Sequence, residues 1–132
     1  MVKMEGRLLK LGTTDICGRM FSKDCKISFF NRVPITINFS NDPDKIVGHG
    51  EIIKDDKGLK VLATLVCDEF NDPEYYVGGF YTNVKSHDEQ SMHIIDECKL
   101  VSMALVDDPA DKDLVIRKVD KLWKMIKVIV IS

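Results

Sequence analysis

At 132 residues, with 45% hydrophobic and 30% charged residues, the chain holds the material for one compact domain with a single core. Nineteen basic and twenty-one acidic residues are spread along it for a formal charge of −2, so no electrostatic footprint for a nucleic-acid backbone is visible. No apolar stretch reaches the roughly 18 residues that cross a bilayer, and Met1 to Lys10 is too charged for a signal peptide, so no membrane partner is expected and a cytoplasmic start is.

In chain order, the first strong signal is the alternation of Val33, Ile35, Ile37 and Phe39 with Pro34, Thr36, Asn38 and Ser40, the period of a half-buried strand. Pro34 places its start at an edge or entry point. Val47–Ile53 and Leu59–Val66 flank the polar loop Lys54-Asp55-Asp56-Lys57-Gly58, which ends in the residue that tolerates positive φ. This is the clearest hairpin. Tyr75–Val84 and Met92–Val106 are expected to form a second hairpin, with Lys85-Ser86-His87-Asp88-Glu89-Gln90 as its longer, charged loop. From Val101 to Val106 both alternating faces are mostly apolar, as in a central strand covered on both sides, and Asp107-Asp108-Pro109 stops it.

The remainder, residues 113–132, is ambiguous. Val115, Val119, Leu122, Ile126 and Ile129 fit a helical face, whereas Val128-Ile129-Val130-Ile131 is a β-branched run. A helix ending near Lys127 and followed by an extended end is the favoured expectation. Short strands separated by turn signals, with little helix, predict a mainly β domain over residues 1–132, a small closed antiparallel barrel.

Candidate chemistry is sparse. Cys17, Cys25, Cys67 and Cys98 contain no C-x-x-C pair and read as reduced, mostly buried thiols. Neither they nor His49, His87 and His93 show paired metal-ligand spacing, and no metal or cofactor is expected. Asp55-Asp56 and Asp107-Asp108 sit at turns, where Asp is favoured for backbone hydrogen bonding. His87 lies beside Ser86 and Asp88, but neighbours on a loop do not hold a nucleophile and base at hydrogen-bond distance. Ser102 has no imidazole placed beside it, and Gly78-Gly79 is expected to permit close backbone approach. Tyr75, Tyr76, Phe80 and Tyr81 alternate on a strand, so half should face the core and the rest offer a protein-contact patch.

Four segments, taken in order, resemble the prohead protease family of tailed phages, whose fold is shared with herpesvirus assembly proteases. Glu5-Gly6-Arg7-Leu8 with Thr14-Asp15-Ile16-Cys17-Gly18-Arg19 looks like the family's opening strand and Asp-x-x-Gly turn. Phe39-Ser40-Asn41-Asp42-Pro43, followed by Val47-Gly48, resembles the segment in which an aromatic residue precedes His-Asp-Pro. Val77-Gly78-Gly79-Phe80 resembles the Ser-apolar-Gly-Phe strand, and Leu100–Ala110 the late strand ending in Pro-Ala. The resemblance puts Asn41 at the histidine position and Val77 at the serine position. Neither can act: asparagine has no titratable nitrogen near neutral pH, and valine has no nucleophilic atom.

The resemblance therefore implies a prohead-protease-type barrel that has lost catalysis. It implies a decoration, cementing or minor head protein, assembled in the host bacterial cytoplasm and carried in the virion. Its partners would be the major capsid protein, other virion proteins and further copies of itself. The alternative is an active or rewired serine protease that cleaves capsid or scaffold proteins. The contact elements expected are Tyr75, Tyr76 and Tyr81, Lys85 and His87 of the charged stretch, the connection Asp68–Tyr76, and Val128, Ile129, Val130 and Ile131 of the tail.

Overall fold

A computed structural model describes residues 1–119. Eight strands follow one another: β1 Val2–Lys10, β2 Arg19–Phe29, β3 Arg32–Ile37, β4 Gly48–Asp55, β5 Gly58–Leu65, β6 Glu74–Glu89, β7 Met92–Leu105 and β8 Val115–Lys118. The only helical element among the described residues is one 3₁₀ turn, Pro43–Lys45. Seven strands close a ring in the order β7-β3-β4-β5-β1-β8-β6, with β6 returning to β7, and β2 lies outside the ring beside β7. The fold is thus the small, mainly β barrel expected. Six of its pairings are antiparallel, and β7 adds two parallel ones, to β2 and β3.

Alternation explains the core. On β5, Leu59, Val61, Ala63 and Leu65 point inward and are buried, while Lys60 and Leu62 face out. The β1–β5 register shifts between Arg7 and Leu9, and this bulge turns both Leu8 and Leu9 into the interior. Pro34 pairs with His49 of β4, whereas pairing with β7 begins only at Ile35, so the proline sits where one neighbour is missing.

The β4–β5 hairpin turns through Asp56-Lys57, with Gly58 at φ 143°. Asp55 locks it. Its Oδ1 accepts the Lys57 and Gly58 amides at 3.1 and 2.9 Å, and Arg7 forks onto both carboxylate oxygens at 2.7 and 2.9 Å. That guanidinium, with the two amides, holds the Asp55 carboxyl down at about 2. A depressed folded pKa contributes stability above the unfolded value and loses it as pH falls through the folded one. Asp55→Asn is therefore expected to cost about 1–2 kcal/mol at neutral pH, discounted for solvent screening. Urea melts against pH should show the gap to the parent closing as pH drops toward about 2; a constant gap would mean that the ion pair is not its source.

Two expectations need correcting. Lys85–Glu89 is not a loop: it continues β6, and the β6–β7 hairpin turns only at Gln90-Ser91, both left-handed at φ 48° and 68°. The charges stand in a strand because they meet partners across it, Lys85 with Glu97 at 3.1 Å, His87 with Asp96, and Asp88 with His93 at 2.9 Å. Nor does a helix begin near Val115. Val115–Lys118 is β8, which bridges β1 and β6 and closes the ring, with Val115 and Ile116 both buried. The remainder of the expected helix, from residue 120, and the run Val128–Ile131 lie outside the described residues.

A candidate binding cleft on the open edge of β6

Past Val77, whose amide donates to the Leu114 carbonyl at 3.0 Å, β6 has a strand neighbour only on its β7 side among the described residues. A cleft of about 510 Å³ runs along the other side. Consecutive residues Val77, Gly78, Gly79, Phe80 and Tyr81 all line it. Because successive strand residues point to opposite faces, a cavity lined by all of them is centred on the strand's edge. Its volume falls in the range of binding pockets.

Three segments wall it. The first is the exit of β3, where Asn38 and Phe39 are both left-handed, at φ 46° and 58°, and turn the chain back over the barrel. Asn38 exchanges two hydrogen bonds with Asp107, at 3.0 and 3.1 Å, which pins that exit to the exit of β7. Phe39 then lies over Gly78: a methyl there would stand 3.1 Å from the ring. Its centroid is 6.4 Å from that of Phe80.

The second wall is the turn Asp15–Gly18. Asp15 accepts the Cys17 and Arg19 amides at 2.9 and 3.0 Å and pairs with the Arg19 side chain at 3.0 Å. The third is Val106–Leu114. It is tied to the turn by the Ile16 amide on the Ala110 carbonyl at 3.1 Å, and to β1 by Lys10, which meets Asp111 and Asp113 at 3.0 and 2.8 Å. The floor is apolar, with Tyr81 folded inward beneath Gly79 and tilted against Phe21 at 5.1 Å.

Most of the titratable side chains around the cleft are buried or paired. Burial pushes the Tyr81 phenol far above its usual value, so it stays neutral. Cys98, in the barrel core, is held up at about 12 by burial and is an inert thiol. His93 hydrogen-bonds Asp88 and His87 bonds Asp96; among the described residues no histidine hydrogen-bonds a hydroxyl or a thiol. Val77 is 1% exposed and belongs to the core, while Asn41 is exposed and follows Phe39, which covers the neighbouring Gly78.

The predicted contact residues scatter. Tyr75 is half-buried against Phe70, and its hydroxyl accepts the Asp72 amide at 3.0 Å. Tyr81 faces the interior instead of offering a surface patch, so Tyr76 and Phe80 are the exposed aromatics of that strand. Lys85 and His87 are exposed on the arm formed by the outer parts of β6 and β7. Lys10 and Asp111 were not singled out from the sequence, and Phe39 and Arg19 entered only within longer segments, not as cleft residues. Gly78-Gly79 marked the close approach without naming what approaches.

The Asp96 carboxylate raises the His87 pKa above its ordinary value. A raised folded pKa stabilises the arm below the unfolded value of about 6.5, and that contribution is lost as pH rises through the folded pKa. Titration by NMR should place His87 above free histidine, and Asp96→Asn should bring it back down; an unmoved midpoint would rule the pair out as the cause. The chain matches no family model, no curated protein and no solved structure.

Proposed function

We propose that this chain is a non-catalytic barrel that works by assembly contacts, as an auxiliary protein of a tailed-phage head that binds the major capsid protein. The observation that carries the non-catalytic half is Val77: the position that aligns with the nucleophile of the prohead proteases holds a core side chain, 1% exposed. A protease reaction needs a hydroxyl or thiol and a base in hydrogen-bond reach, with donors aimed at the developing oxyanion. The cleft instead presents a strand edge, aromatic rings and ion-paired rims, the features of a surface that holds a chain rather than cuts one. The capsid half rests on the four ordered sequence segments, of which Pro109-Ala110 forms a wall of the cleft.

Two measurements test the halves separately. The purified protein is expected to leave capsid precursor intact and to resist serine-reactive phosphonates; cleavage lost on Ser86→Ala or Ser102→Ala would establish the rewired protease instead. Mass spectrometry of purified virions is expected to find the chain in fixed stoichiometry to the major capsid protein. Its absence from virions would remove the capsid assignment and leave the barrel a binding module of another system.

A further inference from the structure

We propose that the open edge of β6 is the acceptor for residues 120–132 of a second copy of this chain, which adds as a strand in the cleft and links copies head to tail. This goes beyond the capsid reading and does not depend on what else the barrel binds.

The acceptor is built. Gly78–Thr82 has no backbone partner on its outer side among the described residues, and the edge lies in an apolar cleft. Such an edge is a template for another strand unless something covers it. The stretch is short and bounded: Val77 is capped by Leu114 at one end, and a break in register around Asn83, at φ 53°, marks the other. Phe80 and Val84 beside it are 50% and 45% exposed, and Phe39 is 40% exposed. These are large apolar side chains grouped where a docked strand would cover them.

The donor fits in length, pattern and charge. Val128-Ile129-Val130-Ile131 is a β-branched run that is apolar at both alternating sets of positions. That suits an edge with apolar surface on each side of it. Up to Val119 the chain holds sixteen basic and twenty acidic residues, while beyond it there are three lysines and a single acid, Asp120. The donor is therefore cationic and the barrel anionic, with Asp108 on the rim of the cleft.

The point of departure favours a second copy, because a tail that filled its own cleft would have to double back along the length of β1. Val119 donates its amide to the Lys3 carbonyl near the start of β1, whereas the cleft is lined by Leu8, Leu9 and Lys10 at its end. The chain therefore leaves the barrel at the end opposite the acceptor. Donation to one neighbour with acceptance from another joins two different surfaces, a heterologous contact that propagates into rings or filaments, whereas reciprocal exchange between two copies would close as a dimer.

Sedimentation velocity on the full chain tests this with two full-length variants, a donor variant Ile129→Lys with Ile131→Lys and an acceptor variant Phe80→Lys with Val84→Lys. The parent should associate beyond dimer as its concentration rises toward about 100 μM, and each variant should associate at least about tenfold more weakly. An equimolar mixture of the two should form dimers and nothing larger, because one functional donor then meets one functional acceptor. A parent that stays monomeric, or that stops at a dimer, overturns the proposal. So does an acceptor variant that assembles like the parent, or a donor variant that loses its cooperative melt by circular dichroism, since the tail then belongs to its own barrel.

Discussion

Leu105→Asp is expected to abolish folding. Leu105 is 5% exposed in the central cluster, pairs with Val77 on β6 and Ile37 on β3, and sits near the end of the strand that joins the two sides of the ring. A carboxylate there loses its hydration and gains no cationic partner, a penalty of several kcal/mol against a total stability of about 5–15 kcal/mol. Leu105→Ala, which removes volume without burying a charge, should cost about 2–4 kcal/mol and leave a folded chain. Urea melts followed by circular dichroism separate the two. A soluble Leu105→Asp protein with a cooperative transition would show that β7 is not the core strand it is taken to be.

The second large effect is expected at Gly6. β1 and β8 approach so closely there that a methyl on Gly6 would stand far inside van der Waals contact distance of the Val115 carbonyl oxygen, and would clash with the Ile116 Cα as well. The obstacle is backbone, so no rotamer change relieves it. β8 is four residues long and is the link between β1 and β6, so Gly6→Ala has to push it away and open the ring. About 3 kcal/mol is expected, toward the upper end of the overpacking range. Hydrogen exchange should speed up first at the amides of Ile116 and Arg117. Gly18→Ala makes the contrast: Gly18 has φ 76° but no atom nearer than 4.0 Å to the added methyl, so its cost is backbone strain alone, about 1 kcal/mol. Equal costs at the two glycines would mean that β8 does not press on β1.

What the sequence determined by itself was local and periodic. The β4–β5 hairpin follows from alternation flanking a short polar turn that ends in glycine. The covered strand ending at Leu105 follows from apolar residues on both faces. Gly78-Gly79 announced a close approach because only an absent side chain permits one. The tertiary structure decided everything that depends on a partner distant in sequence. Lys85–Glu89 is all polar and carries no strand period, yet it is a strand, because Glu97, Asp96 and His93 stand across from it. Val115 fits a helical face with Val119 equally well until β1 and β6 claim Val115–Lys118 as the closing strand. The cleft is the extreme case. Its walls come from the exit of β3, the turn before β2 and the segment after β7, and no pattern within any one of them reveals that the other two lie opposite. Hydrophobic periodicity encodes which face of a segment is buried, whereas ring closure and an edge left open arise only when strands remote in the chain compete for the same backbone hydrogen bonds.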